Sequence, residues 1–179
     1  MFRSSVIDAW GSTADERADH YPCDELIDGP RQELFRAVDV DAPATVVFRW
    51  VCQLRAAPYS YDLIDNLGRR SPRELTPGLD ELAVGQRVMT VFRLVTFEPE
   101  RSITVDAHTT LFGYVAVTYR VVPVDDGRSR LVAKVVVAPR RGCLAWMMDR
   151  VLPAGDLVMM RKQLLTLKSL AERDGRVRA

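Results

Sequence analysis

Hydrophobic and polar residues alternate along most of the chain between residues 87 and 139, which is the pattern of strands that bury one face. A DDG turn at 125–127 joins two of the alternating runs into a hairpin. The pattern predicts an antiparallel meander of strands over residues 87–99, 101–108, 113–124 and 128–139.

Helical spacing precedes the meander. A short strand begins near Leu34, although Phe35 and Arg36 break its alternation, and a helix follows with Pro43 in its first turn, where proline is tolerated. The buried face of this helix is predicted to hold Val47, Trp50, Val51 and Leu54. A second helix of about two turns is predicted from Ser60, a suitable N-cap, to Gly68, a suitable C-terminal glycine.

Helical spacing also follows the meander. We predict one helical segment at 142–152, an interruption at Pro153 and Gly155, and the longest helix of the chain at 156–174. The buried stripe of the longest helix is predicted to be Leu157, Met160, Leu164, Leu167 and Ala171. This order predicts an α+β fold, in which a curved antiparallel sheet wraps around the C-terminal helix and an apolar cavity lies between them.

The residues before the first long strand are predicted to form an arm. The sequence TADE at 13–16 fits a capping box, in which Thr13 and Glu16 each bond the other's backbone amide, so a small helix starts there. We therefore predict an N-terminal arm at 1–34, a ligand-binding domain at 35–174 and a C-terminal tail at 175–179.

The meander suggests what its two faces carry. Alternation places Arg93, Arg120 and Lys134 on the outer face, so the residues between them face inward. The inner wall is then mostly apolar with hydroxyl groups at Thr90 and Tyr119, which is the composition of a small-molecule pocket. The alternative is a solid core in which Tyr119 bonds a backbone group.

Composition narrows the functional classes. The formal net charge of +1 argues against nucleic-acid binding, which needs a basic surface. Cys23, Cys52 and Cys143 are far apart and odd in number, so we expect no disulfide framework and a cytoplasmic protein. The longest charge-free run, at 107–119, is too short and too polar for a transmembrane segment.

Motifs for catalysis or metal binding are weak. His108 is expected on the outer face, and His20 belongs to the arm, so a site centred on histidine is not predicted. His20 and Cys23 resemble half of a zinc site, but the sequence has no second Cys/His pair to complete it. We predict neither a metal nor a cofactor, and the catalytic residues, if there are any, are unknown.

The order of elements resembles the helix-grip fold of the START-like, or SRPBCC, superfamily, which includes polyketide cyclases and lipid-transfer domains. The segments that carry the resemblance are VDVDAPATVVFRWV at 38–51 and GDLVMMRKQLLTLKSLAER at 155–173. Three shorter segments, WGSTADE at 10–16, YSYDLIDN at 59–66 and ELAVGQRV at 81–88, are similar to an uncharacterised bacterial group of this superfamily.

The resemblance implies a protein that binds a hydrophobic small molecule or lipid in the cavity. It also implies that the helix predicted at 60–68 lies beside the cavity mouth. The expected ligand-binding residues are Tyr61, Asp62, Thr90, Phe92, Tyr119, Met160 and Trp50. It leaves open whether Tyr61 and Asp62 face the cavity or the solvent.

Two alternatives stay open. One is a polyketide cyclase or dehydratase that uses Tyr61, Asp62 or Tyr119 as acid/base groups, which requires a carboxyl or phenol of perturbed pKa inside the cavity. The other is a co-chaperone-like interaction module, which requires a large exposed apolar patch on the outer face. The sequence does not indicate an oligomeric state.

Overall fold

The structure is a computed structural model that describes residues 7–61, 68, 70–109, 113–139 and 145–178. Its described helices are α1 (Ala14–Ala18), α2 (Ala44–Cys52) and α3 (Ala145–Arg178), with short 3-10 helices at Pro22–Leu26 and Gln53–Arg55. The described strands are β1 (Ala9–Trp10), β2 (Gln32–Val40), β3 (Arg87–Val88), β4 (Phe92–Glu98), β5 (Ser102–Thr109), β6 (Gly113–Pro123) and β7 (Ser129–Val137).

Within these ranges the strands form one sheet in the order β1-β2-β7-β6-β5-β4-β3. Neighbouring strands pair antiparallel except for β1, which pairs parallel to β2 at the sheet edge. The predicted meander is therefore confirmed for β4 to β7. The first long strand, β2, pairs with β7, and Arg36 lies opposite Ala133 in this pairing.

The interior lies between one face of the sheet and the two main helices. The predicted buried face of α2 is confirmed, since Val47, Trp50, Val51 and Leu54 are each at most 1% exposed. Most of the predicted stripe of α3 is buried in the same core, namely Met160, Leu164, Leu167 and Ala171, whereas Leu157 is half-buried. The alternation of hydrophobic and polar residues along the strands thus identified the face of the sheet that α3 covers.

Helix α3 differs from its prediction in one respect. It runs without interruption through Pro153 and Gly155 and ends at Arg178, so the predicted break was wrong. Proline removes one backbone hydrogen bond and clashes with the preceding turn, at a cost of about 3 kcal/mol. Packing of the helix against the sheet offsets this cost, because helices in proteins draw most of their stability from tertiary contacts.

The N-terminal arm covers part of the outer face of the sheet. Its capping box is confirmed, because the amide of Glu16 donates to Thr13 Oγ1 and the amide of Thr13 donates to Glu16 Oε2. Beyond this helix, Tyr21, Cys23 and Ile27 are buried on the outer face. They pack against outward-facing apolar side chains of the sheet, namely Phe35, Ala37, Ala116, Val132 and Val136.

The arm also pairs with two outer-face cations. Lys134 Nζ lies 2.6 Å from Asp24 Oδ1, and the lysine side chain is only 4% exposed. Arg120 bonds Asp19, and its guanidinium carbon lies 3.9 Å from the centroid of the Tyr21 ring. These cations lie on the predicted face, and the arm buries an apolar cluster between them.

Gly11 allows the arm to approach β2, and its replacement by alanine is expected to loosen the arm. Its φ is +73°, and an added Cβ would lie 2.1 Å from the carbonyl oxygen of Ala37. Relief of that overlap requires β1 to move away from β2. We expect amide hydrogen exchange of residues 14–27 to become at least about tenfold faster.

Gly29→Ala is the matched control for this measurement. Gly29 also has a positive φ, of +82°, but an added Cβ there meets nothing within 4 Å. The control carries the backbone strain of a left-handed alanine without the steric overlap. Equal exchange rates in the two variants would contradict the role given to the close approach at Gly11.

Candidate functional site

A buried polar cluster lies where α3 crosses the middle of the sheet. Tyr119 projects from β6, and its hydroxyl donates to Gln163 Oε1 on α3 at 2.7 Å. Gln163 Nε2 in turn donates to the carbonyl oxygen of Pro58 at 2.6 Å, and Met160 Sδ lies 3.6 Å from the Tyr119 hydroxyl. Tyr119 and Met160 therefore take inward positions as predicted, but the partner of Tyr119 is a side chain and not the backbone.

A second polar pair lies in the same transverse row of the sheet. Arg36 on β2 pairs with Ala133, which pairs with Tyr119, so Arg36 and Tyr119 are two strands apart, or about 10 Å. Arg36 Nη2 donates to Asp156 Oδ2 of α3 at 2.8 Å. The arginine side chain is 0% exposed and the aspartate side chain is 24% exposed.

Sequence reasoning missed this pair. Arg36 follows the inward parity of Leu34 and Val38, yet it was treated only as a break in the alternation. The sequence did contain a signal, which was a charged residue at an inward position of a strand. A buried charge needs a partner, and Asp156 on the covering helix is of the opposite charge. Only the fold shows that the two residues meet.

Burial changes the acid–base behaviour of this row. It raises the pKa of Asp156 to about 6, although the nearby charge of Arg36 acts in the opposite direction. Burial also raises the pKa of the Tyr119 phenol, and the charge of Asp156 adds to that increase. The interior therefore holds a carboxyl group that titrates near neutrality and a phenol that stays protonated.

An apolar wall extends from this row towards one end of the sheet. The next row inward, which includes Leu34, Val117 and Val135, is buried. In the last row Phe92, Val115 and Val137 pack against the core but stay half-buried, as does Leu157 near the start of the described side chains of α3. Part of the apolar inner face thus remains accessible beside the polar cluster.

Thr90 does not lie on the inner wall, so its predicted position was wrong. The chain turns at residues 89–91, where Met89 and Thr90 have positive φ values of 46° and 66°, and Thr90 is exposed. The sequence run had been taken as one continuous strand, but Val88 pairs with Phe92 across this turn. Met89 faces inward instead, and its Sδ lies 3.2 Å from Gln163 Nε2.

A surface pocket of about 380 Å³ lies at this hairpin. Its lining consists of Gly85, Arg87, Thr90, Val91, Phe92 and Arg93. Phe92 belongs both to this pocket and to the half-buried inner row, so it connects the hairpin surface with the interior. Whether Thr90 and Phe92 contact a ligand stays a prediction.

The residues predicted near the cavity mouth separate into different environments. Trp50 is 0% exposed, its Nε1 donates to Asp174 Oδ2 at 3.0 Å, and its ring meets Tyr59 edge-on. Tyr61 is 40% exposed, whereas the unpredicted Tyr59 is buried. Asp62 and most of the helix predicted at 60–68 lie outside the described residues. The ligand-binding roles of Trp50, Tyr61 and Asp62 stay predictions.

The two histidines lie away from this interior. His108 is exposed on the outer face as predicted, with its ring 6.4 Å from that of Tyr114. His20 in the arm has Nε2 3.0 Å from Glu25 Oε1. Across the described ranges, His, Cys, Asp and Glu side chains form no group of three or more that is able to hold a metal ion.

Tyr119→Phe is expected to lower the free energy of unfolding by about 1–3 kcal/mol, because the buried Oε1 of Gln163 loses its hydrogen-bond donor. Urea denaturation measures this loss. Tyr114→Phe is the matched control, since the Tyr114 hydroxyl donates to Asp106 at 2.8 Å on a half-buried surface where water replaces it. Similar losses in both variants would contradict the importance of the buried bond.

The fold and interior define the class of protein. An antiparallel sheet closed by the first long strand, with a long C-terminal helix across its inner face, is the helix-grip fold, so the START-like, or SRPBCC, resemblance is confirmed at the level of the fold. Within the described part of the chain, no helix combines the length and the apolar character that a membrane crossing requires.

Similar solved structures support this assignment. The Zhui aromatase/cyclase from a Streptomyces species has a TM-score of 0.55 and 20% identity, over 84% of this chain and 98% of its own. A protein from Nitrosospira multiformis has a TM-score of 0.50 and 14% identity, over 80% of this chain and 99% of its own. No protein-family model and no curated protein sequence matches this chain.

Proposed function

We propose that the protein binds an apolar small molecule between the inner face of the sheet and the N-terminal half of α3. One observation carries this proposal: the inner face has a half-buried apolar row at Phe92, Val115 and Val137, and the buried row of Leu34, Val117 and Val135 separates it from the row that contains Tyr119 and Arg36. Pockets for small molecules combine a mostly apolar wall with a few polar groups that orient the ligand.

The dimensions of the ligand follow from the same rows. Strands in a sheet are about 4.8 Å apart, so the row from Phe92 on β4 to Val137 on β7, which includes the buried Ala107 on β5, spans about 15 Å. This length matches a fused aromatic compound of two or three rings or one acyl chain. The aromatase/cyclase name of one structural neighbour is consistent with an aromatic compound.

Native mass spectrometry with neutral apolar probes tests the proposal. N-phenylnaphthylamine, anthraquinone and a monoacylglycerol represent the aromatic and lipid classes. We expect a complex with one probe molecule per chain, and a rise in melting temperature for the class that binds. If none of the probes forms a complex or raises the melting temperature, binding in the interior is ruled out for both classes.

Two matched variants locate the site. Val115→Trp places an indole in the half-buried inner row, and we expect it to weaken probe binding at least about tenfold by occupying the space. Val122→Trp places the same group on the same strand, at a position that is 41% exposed and has the opposite parity, and it is expected to leave binding unchanged. Equal effects of the two would place the site elsewhere.

A second candidate function is cyclase-type catalysis, and the acid–base character of the interior favours it. Asp156 has a pKa raised to about 6, which suits a general base, and Tyr119 stays protonated, which suits a hydrogen-bond donor to a developing oxyanion. In an aldol ring closure, Asp156 would take a proton from the carbon that attacks, Tyr119 would donate a hydrogen bond to the carbonyl oxygen as it becomes negative, and the proton on Asp156 would then pass to that oxygen. Loss of ring closure of a poly-β-keto substrate in both Asp156→Asn and Tyr119→Phe, with binding retained, would support this function.

A further inference from the structure

We infer that the ligand carries a carboxylate or another anionic oxygen group, and that the guanidinium of Arg36 is its anchor inside the fold. This inference rests on the proposed binding function, and it adds the chemical class of the ligand to it. Neither the apolar wall nor the fold requires an anionic ligand. The reason for the inference lies in the hydrogen bonds of Arg36.

The guanidinium of Arg36 is buried but its hydrogen-bonding capacity is not filled. Nη1 donates to the carbonyl oxygen of Phe35 at 2.8 Å, and Nη2 donates to Asp156 Oδ2 at 2.8 Å and to the carbonyl oxygen of Pro153 at 3.4 Å. Nε has no hydrogen-bond partner among the described residues. Buried donors without an acceptor are rare in folded proteins, so this one points to a missing acceptor.

The geometry of a guanidinium specifies what the missing acceptor is. Nε and Nη2 lie along one edge of the planar group, and a carboxylate binds this edge with two parallel hydrogen bonds. Asp156 accepts from Nη2 alone, with one of its oxygens, so it does not use the whole edge. A ligand carboxylate that accepts from both nitrogens would satisfy Nε and replace the single bond to Asp156.

Exposure shows from which side a ligand arrives. Arg36 has no exposed surface, whereas the side chain of Asp156 is 24% exposed. Asp156 is therefore the part of the pair that solvent reaches. An anionic ligand reaches Arg36 by displacing the carboxyl group of Asp156, and this exchange becomes easier when that carboxyl group is neutral.

The charges around the guanidinium set the direction of the pH dependence. The groups that act on Arg36 and Asp156 are each other, Tyr119 from β6, and Asp8 from the segment before β1. Because burial raises the pKa of Asp156 to about 6, this residue loses its charge as the pH falls through that value. Arg36 then keeps its positive charge with Asp8 as the remaining carboxylate that acts on it, so affinity for an anion increases as the pH decreases.

Naphthylacetic acid and naphthylacetamide test the inference, because they have the same apolar body and differ in the charged group. By isothermal titration calorimetry at about pH 5.5, we expect the acid to bind at least about tenfold more tightly than the amide. As the pH falls from about 7.5 to about 5.5, the affinity for the acid should rise by up to about tenfold. The reason is that fewer molecules then have an ionised Asp156 that competes with the ligand for Arg36. The affinity for the amide should stay constant.

Variants separate the roles of the two residues. Asp156→Asn should give the acid at about pH 7.5 the affinity that it has for the unmodified protein at about pH 5.5. Arg36→Met combined with Asp156→Asn removes both buried charges, keeps the apolar volume and should abolish the preference for the acid while the amide still binds. Arg101→Met, which removes an arginine that is 69% exposed in the turn between β4 and β5, is the control for net charge and should not change the preference.

The outcomes distinguish this inference from the proposed function. If the amide binds as tightly as the acid at both pH values, the anionic anchor is overturned and the binding function stands. If the preference for the acid persists in the double variant, the anchor lies elsewhere and the inference is equally overturned. If neither compound binds, the binding function itself fails, and the inference fails with it.

Discussion

Arg36→Met is expected to destabilise the protein by about 3 kcal/mol at about pH 8 and by much less at about pH 5. Removing one partner of a buried ion pair leaves the other charge without compensation, which usually costs about 3–5 kcal/mol. The lower end applies because Asp156 keeps 24% exposure. Urea denaturation at the two pH values measures the difference in the free energy of unfolding.

The sign of this pH dependence follows from the titration of Asp156. Its pKa rises from the ordinary value of 3.8 to about 6 on folding, so between these values the folded protein binds more protons than the unfolded chain. Lower pH therefore favours the folded state across this window, and stability is lost as the pH rises through about 6. Without Arg36 the pKa of Asp156 rises further. At low pH the carboxyl group is then neutral, and burial of a neutral carboxyl group costs much less free energy than burial of a charged one.

The double variant Arg36→Met with Asp156→Asn is the control. It contains neither charge of this pair, so its stability should not vary with pH through Asp156, and it should be more stable than Arg36→Met at about pH 8. An equal loss for Arg36→Met at both pH values would show that Asp156 does not depend on Arg36 for its charge.

Trp50→Ala is expected to cost about 4 kcal/mol, the largest loss from a single core truncation that we foresee. Trp50 is 0% exposed, donates from Nε1 to Asp174 at the C-terminal end of α3, and meets the ring of Tyr59 at a centroid distance of 6.1 Å. Alanine leaves a cavity between α2 and α3 and removes this hydrogen bond. The loss is again measured by urea denaturation.

Trp50→Phe serves as the comparison for this variant. It keeps an aromatic ring in the same space but loses the donor to Asp174, so it separates the cavity from the hydrogen bond. We expect a loss of about 1–2 kcal/mol. If Trp50→Ala costs no more than Trp50→Phe, the core around α2 collapses into the space, and the tryptophan does not hold the two helices together as described.

The local patterns of the sequence predicted much of the fold correctly because they depend on neighbouring residues. The helical spacing of Val47, Trp50 and Val51 identified the buried face of α2. The two-residue period identified the inward positions of Val117, Tyr119 and Val121 on β6. In both cases a single buried face repeats with the geometry of the element, so a short window of sequence contains the whole signal.

Predictions failed where a distant contact decided the outcome. Thr90 was expected inside, but the chain turns at 89–91 and Met89 takes the inward position. The register between β4 and β5 also shifts between Leu94 and Thr96, which interrupts simple alternation. Pro153 was expected to end a helix that tertiary packing maintains. Distant contacts take part at two of these positions, since the amide of Met89 donates to the carbonyl oxygen of Leu54 and Pro153 lies in a helix that packs on the sheet.

The candidate site shows the same division. Tyr119 and Met160 were found from the sequence, because their parity on a strand and on a helix points each of them inward. The hydrogen bonds of the site were not found from the sequence. Tyr119 and its acceptor Gln163 are 44 residues apart, and Arg36 and Asp156 are 120 residues apart. The hydrophobic periodicity of a strand or helix gives no information about pairs at such separations.

The sequence by itself determined the class of the fold: the order of the strands, the identity of the covering helix and the face that each element buries. These features follow from hydrophobic periodicity, which is a local property of the backbone geometry. Only the tertiary structure decided that the arm covers the outer face through Lys134 and Asp24, and that a buried arginine with an unused donor faces the interior. The physical reason is that burial and charge pairing depend on which distant residues the folded chain brings into contact.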